Sequence, residues 1–411
     1  MADPGTKAQK IKKSRVAITA EEAKRMALEF YGPGKRRALF EIVGTDASQI
    51  SDSDAFRSKV RDSVKAHRAI RHAVEAGLVE VVETRRVKLQ DELGQALRDA
   101  YPQLLGVQVV DLSRLPFKDA RSYDDSVHEE LGFAAARWIS QGMLFQDGSI
   151  IGVGSGRGVY QTLNALKDFQ QLSSRDVKVM SLTARIHAKN HAGAQGRDLD
   201  ADFHAALLAT CFNHASISLL PLPIAQASPG DRERAARRTH LADAQWSKVA
   251  PRYGLFGVGI LAPGHRLYDE SMASKREEGL KAILPQVMQL VEISEQVHTL
   301  MAGISPLYYP VADIANQLFT MQGSLWDRIE KNIQTRIEAL VAEINCHLLT
   351  ITEAQLRDIE NVVLIAGTES KALAIRSLLE RERSNIRFLC TDGDAARQIL
   401  NKPMESELFQ P

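Results

Sequence analysis

The sequence predicts an α/β protein: a mostly parallel sheet flanked by helices, with a small N-terminal domain of winged helix-turn-helix type. Two observations predict the sheet. From about residue 87 short apolar runs alternate with helical patterns. Those runs lack polar alternation, as parallel strands covered on both faces should. A third observation concerns the head. Residues 1–86 hold 18 Lys and Arg against 12 Asp and Glu, a net of +6, while the remaining residues sum to −5. A basic head on a mildly acidic body predicts that the head meets an anion.

The elements follow in order. Residues 1–17 carry Lys7, Lys10, Lys12, Lys13 and Arg15 with little to bury, and read as a basic tail. Thr19 is placed to cap "AEEAKRMALEFY", which Gly32-Pro33-Gly34 stops. "KRRALFEIV" is a second helix. A long third helix runs from Asp54 to Gly77, with Phe56, Val60, Val64, Ile70 and Val74 mostly at helical spacing. Arg57, Arg61, Lys65, Arg68 and His72 form a stripe beside them. "LVEVVE" reads as a strand. Three helices and a strand are what a winged helix-turn-helix needs, and a cationic stripe suits phosphates; a solvated helix face gives the same stripe. The body then alternates helix and strand: "KLQDELGQALRDAY", "LGVQVVDL", "SVHEELGFAAARWISQ", "SIIGVG", "RGVYQTLNALKDF", "DVKVMSLT" and "DADFHAALLATCFN". "GLFGVGIL" is one further strand, and the chain closes with two strand–turn–helix units, "NVVLIAGTESKALAIRSLLE" and "IRFLCTDGDAARQIL". Helical additions are expected near 270–300 and 322–347, so the domains are expected at 1–86 and 87–411.

Composition is that of a globular chain: 411 residues, 44% hydrophobic and 25% charged, net +1. Its three cysteines form no CxxC pair, and no apolar run reaches membrane-spanning length. A reduced, cytoplasmic protein without a membrane partner is expected. His187 and His191 have metal-ligand spacing, but in a glycine-rich stretch with no HExxH-type acid, so no metal is expected. His204 and His214 read as ordinary helix residues.

Two turns carry the chemistry. Gly154-Ser155-Gly156-Arg157-Gly158 joins a strand to a helix, where glycines let an anion approach free backbone N–H groups. Neither register fits GxGxxG, and no GK[ST] follows, so a phosphate or carboxylate suits the turn better than a dinucleotide. The same turn also serves a chain that merely needs glycine. Gly367 to Lys371 is the second. Lys371 opens a helix, where the dipole disfavours a cation, so it either reaches an anion or is a solvated surface lysine. Arg185 follows a strand toward the same crevice. Asp313 either accepts from ligand hydroxyls or caps a following helix.

These turns, with "AIRHAVEAGLVEVV", "LLPLPIA", "GLFGVGI" and "PVADIANQLF", resemble the SorC family of bacterial transcriptional regulators from about Ala66 to Leu400. The resemblance implies a helix-turn-helix joined to an effector domain like the sugar-phosphate isomerases and deaminases. It implies that the first turn and Lys371 hold a phosphate, that Arg185 helps, and that Asp313 meets the sugar. In that family the first turn has a bulky residue or glycine where Ser155 stands, a hydroxyl residue where Gly158 stands, and the second turn has glycine where Thr368 stands. The expected function is an effector-responsive regulator that binds double-stranded operator DNA and a small anionic metabolite as a homodimer or homotetramer, with no cofactor and no catalysis. The alternative is a sugar-phosphate isomerase or deaminase on the same sheet.

Overall fold

A computed structural model describes residues 89–112, 120–141, 145–167, 172, 176–184, 200–262 and 278–400. The N-terminal readings, including Arg57, Arg61, Lys65 and Arg68, lie outside the described residues, as do Arg185, His187 and His191.

The elements are α1 (Asp91–Ala100), β1 (Gly106–Val110), α2 (Ala120–Gln141), β2 (Ile150–Val153), α3 (Arg157–Leu166), β3 (Val177–Ser181), α4 (Ala201–Ala209) and β4 (Ala215–Ser218). Then come α5 (Pro229–Arg237), α6 (Asp243–Val249), β5 (Tyr253–Phe256), β6 (Val258–Ile260), α7 (Glu278–Met301), β7 (Val311–Ile314) and β8 (Gln317–Thr320). The last are α8 (Lys331–Asn345), α9 (Glu353–Asp358), β9 (Asn361–Ile365), α10 (Ala372–Leu379), β10 (Ile386–Asp392) and α11 (Gly393–Leu400).

Seven strands form one parallel sheet in the order β1-β10-β9-β5-β2-β3-β4. Apart from the edge strand β4, the strands are mostly buried on both faces, which explains their largely apolar sequences. Alternate side chains feed two cores. Ile151, Val153, Leu255, Val363 and Ile365 pack with Val127 and Leu131 of α2, Val159 and Leu163 of α3, and Ala205 and Leu208 of α4. Phe256, Val362 and Leu364 pack on the other side with Leu97 of α1, Ile375 of α10, Ala396 of α11, and α7 and α8.

The chain runs outward from β2 to β3 and β4, then returns to place β5 on the other side of β2 and continues to β9 and β10. The order therefore reverses between β2 and β5, where open α/β sheets bind their ligands, beyond the carboxyl ends of the strands.

Several expectations are corrected. "GLFGVGIL" is not one strand: β5 belongs to the large sheet, and after Gly257 the chain enters β6 of a separate antiparallel sheet ordered β6-β7-β8. "LLPLPIA" holds no strand, only isolated bridge positions at Pro223 and Ala225, the latter paired with Leu348. Asp313 is followed by a hairpin turn, Ala315-Asn316, instead of a helix. The helical additions expected near 270–300 and 322–347 are found, at Glu278–Met301 and at a single turn, Ser324–Asp327, followed by Lys331–Asn345. Among the described residues no helix is long and apolar enough to cross a membrane.

The small sheet is held by side-chain amides. β8 is its edge strand, and the Asn345 side chain both accepts from Leu318 N–H (3.0 Å) and donates to Leu318 C=O (2.9 Å). One amide thus replaces a missing neighbouring strand. Asn345→Ala leaves both groups unmet, and is expected to lower stability by about 1–3 kcal/mol, read as a lower urea midpoint at unchanged slope.

Candidate functional site

The carboxyl edge of the large sheet presents a row of turns in the order β10, β9, β5, β2, β3. Gly154 to Gly158 follows β2, directly at the reversal. Gly156 has φ +133°, a conformation that L side chains rarely adopt, and its carbonyl starts α3 by accepting from Tyr160 N–H (2.9 Å). Gly158 is needed for a different reason. A β-carbon there would lie 2.9 Å from the carbonyl oxygen of Ile365, the last residue of β9. The bare backbone lets the first turn of α3 sit against the strand that launches the second turn. Arg157 is exposed at the first position of α3, whose free N–H groups give this end a partial positive charge.

Two buried side chains fix the first turn from below. His204 of α4, fully buried, bonds the Gly154 carbonyl through Nδ1 (3.0 Å), so that nitrogen carries the proton. Its ring stacks on Tyr160 of α3. His204 is therefore not an ordinary helix residue but a support of the glycine turn. Its neighbour Asp202 accepts from Ser181 Oγ (2.6 Å) and Leu220 N–H (2.7 Å), securing the end of β3.

The second turn follows β9, one strand beyond β5. Strands lie about 4.8 Å apart, so the two turns begin about 10 Å from each other. Gly367 packs against the Asp392 carboxylate at the end of β10. That carboxylate, fully buried, accepts from Thr368 N–H and caps α11 by accepting from Asp394 N–H (2.9 Å) and Ala395 N–H (3.0 Å). Thr368 has φ +80°, in the region that favours glycine. Glu369–Lys371 form a 3-10 turn, and half-buried Lys371 stands at the start of α10. The two sequence-read turns thus open on one edge of one sheet.

The antiparallel hairpin supplies a third component. Ala315 and Asn316 form its two-residue turn with φ +52° and +65°, a conformation asparagine accepts readily. Asp313, almost fully buried on β7, accepts from Asn316 N–H (3.1 Å) and so shapes this turn. Asn316, fully buried, donates through Nδ2 to Ser155 Oγ (3.1 Å) and Thr183 Oγ1 (2.8 Å). Thr350 Oγ1 donates to the Ala315 carbonyl. Asn316 was not singled out from sequence. Its signal was slight: an asparagine between two short apolar runs, the mark of a hairpin turn.

Other titratable groups nearby are structural. His240 bonds Ser181 C=O (2.7 Å) through Nε2 and Ser218 Oγ (3.0 Å) through Nδ1, and burial pushes its pKa down. Burial raises the Cys211 thiol to about 11 and the Cys390 thiol further, leaving both protonated packing groups. Among the described residues no cluster of His, Cys, Asp and Glu is fit to hold a metal ion.

Comparison with known proteins follows this geometry. Residues 338–401, which include the second turn, match the family described as "Putative sugar-binding domain". A probable sor operon regulator from Shigella flexneri has a similar structure at 16% identity and a TM-score of 0.50, covering 75% of this chain and 98% of its own. The chain shares the fold of that structure, a mostly parallel seven-stranded sheet flanked by helices. Two further similar structures are the full-length sorbitol operon regulator SorC from Klebsiella pneumoniae (16% identity, TM-score 0.49, 93% of this chain and 99% of its own) and a DeoR-family transcriptional regulator from Listeria monocytogenes (16%, 0.49, 75% and 98%). No curated protein sequence matches the chain. Thr368 adopts the positive φ that favours glycine, the residue that the sequence resemblance leads one to expect at this position.

Positive φ at a β-branched residue costs on the order of 1–3 kcal/mol. Thr368→Gly is expected to raise stability by about 1 kcal/mol, after the added chain entropy of glycine is deducted. A higher urea midpoint checks this; a lower one would mean that the Thr368–Ser370 hydroxyl contact (2.9 Å) outweighs the strain.

Proposed function

We propose that this protein is an effector-responsive, DNA-binding transcriptional regulator whose α/β body senses a small anionic metabolite, a phosphosugar or a derivative of one. One observation carries the reading. The glycine turn before α3 and the turn bearing Lys371 open side by side where the strand order reverses. A single anion there meets the α3 N-terminus, Arg157 and Lys371, with Gly156 leaving room for close approach. The family match across the second turn supports a sugar as the neutral part of the ligand, and the sor operon regulator of similar fold supports transcription control. The basic head, residues 1–86, is assigned to double-stranded operator DNA, with Arg57, Arg61, Lys65 and Arg68 on phosphates. Pairing of half-sites favours a homodimer or homotetramer. The reading leaves Gly154, Ser155, Gly158 and Gly367 as the backbone of the anion cradle, Arg185 as a further cation, and Asp313 as the support of the hairpin over it.

Charge-assisted hydrogen bonds contribute on the order of 1.5–3 kcal/mol each. Lys371→Ala is expected to weaken binding of a hexose phosphate by roughly ten- to a hundredfold at unchanged thermal stability, measured by calorimetry. Equal affinity in both proteins removes Lys371 from the site. Steady consumption of the ligand by catalytic amounts of protein establishes the isomerase or deaminase alternative instead.

For the head, if about six phosphates are neutralised, log K for duplex DNA falls against log salt with a slope of roughly −5. Replacing Arg61 and Lys65 together by Ala is expected to weaken binding and flatten that slope. A flat slope in the intact protein contradicts the assignment.

A further inference from the structure

A groove of about 920 Å³ lies at the far end of α10 from Lys371. α10 has eight residues, a rise of about 12 Å, so the groove is separate from the glycine-turn crevice. β8, α8, α9 and the residues that follow α10 line it, and its volume is that of a small-molecule site. Its chemistry centres on Arg381. This side chain is only 21% exposed, and its guanidinium carbon lies over the Phe319 ring of β8, 4.5 Å from the centroid. The ring attracts the charge but leaves the N–H edge of the fork to other partners. Those partners are few. Among the described residues the guanidinium meets one carboxylate oxygen, Glu353 Oε1, at 3.5 Å. The same oxygen lies 2.7 Å from Arg357 Nη2. Glu380 is held by Arg376 at 2.7 Å, and Glu338 and Glu382 are exposed. The charges that act on Arg381 are Glu353 and Arg357, while burial, the largest influence, holds its pKa below the ordinary arginine value. Two cations therefore share one carboxylate, and the more buried of them has the longer contact. Buried charges are otherwise paired and hydrogen-bonded, and a guanidinium cannot relieve the deficit by losing its proton.

We propose that this groove is a second ligand site, for a small hydroxy-carboxylate whose carboxylate group takes the N–H edge of Arg381. It lies outside the anion-sensing reading above and does not rest on it. The guanidinium fork offers paired N–H groups that match the two oxygens of a carboxylate. The rest of the lining selects a singly charged ligand with a polar body. The three arginines, Arg357, Arg381 and Arg383, stand among four glutamates, so a doubly charged phosphate meets repulsion along with attraction. Gln317, Thr320 and Ser377 offer amide and hydroxyl groups to the hydroxyls of a ligand.

Calorimetry on the full chain with gluconate and sorbitol tests the inference. The two probes share a chain of hydroxyls, and the carboxylate of gluconate is a neutral hydroxymethyl group in sorbitol. The wild type is expected to bind gluconate at least about tenfold more tightly than sorbitol. Arg381→Met keeps an unbranched stem against Phe319 and removes the fork, and is expected to abolish that preference. Arg381→Lys keeps the charge without the paired N–H groups, and is expected to lower gluconate affinity by about three- to tenfold. Glu353→Gln removes the competing charge and is expected to tighten gluconate binding about threefold, a gain that a merely structural Arg381 does not produce. Lys371→Ala is expected to leave gluconate affinity within about twofold. No gluconate binding by the wild type at about 10 mM, equal affinity for the two probes, or a preference that survives in Arg381→Met overturns the proposal. Binding that is lost in Lys371→Ala and kept in Arg381→Met seats gluconate in the crevice and overturns it too. If Arg381→Met does not fold, Arg381→Lys and Glu353→Gln decide, and unchanged affinity in both overturns the site.

Discussion

The crevice depends on the approach of α3 to the end of β9. Gly158 offers its backbone to the Ile365 carbonyl at a distance no β-carbon tolerates. That approach sets a helix N-terminus beside the next strand's turn across the width of β5. With any other residue the first turn of α3 would have to move off the end of β9. The supports follow from the same constraint. His204 holds the Gly154 carbonyl, and Asp392 holds the Thr368 N–H. Both are fully buried, so each turn rests on a polar side chain from which water is excluded. Bonds of that kind are strong when complete and costly when broken.

The division between legible and hidden features follows the range of the interactions. Parallel strands covered on both faces must be apolar throughout, so β1, β2, β3, β9 and β10 announced themselves. The glycine turn was legible because the φ of Gly156 and the clearance at Gly158 admit almost nothing else. The single reading of "GLFGVGIL" failed because strand propensity does not record which sheet a strand joins, and Gly257 passes the chain from one to the other. The β7–β8 hairpin was hidden for a related reason. Ala315 with φ +52° is a poor turn residue, so the familiar Asn-Gly or Asp-Gly signature is absent. Asn316 acts through Ser155 and Thr183, more than a hundred residues earlier, and no local pattern reports such a bond. β4 was missed because an edge strand with exposed residues lacks the apolar run that betrays its neighbours.

Both sheets contribute to the turns at this edge. The parallel sheet supplies fixed dipoles, in helix N-termini held by buried bonds. The antiparallel sheet supplies a neutral amide on a hairpin that touches the parallel sheet through a few hydroxyls.

The amide of Asn345 against β8 has a consequence for assembly. In a four-residue edge strand only alternate residues turn their backbone outward, and Asn345 occupies both groups of one of them, Leu318. A strand from another chain arriving at this margin would find half of its docking ladder taken. Addition of a strand at the β8 margin therefore requires that side chain to be evicted first. Edge-to-edge addition at this margin, the route by which strands grow into continuous ribbons, is thereby opposed.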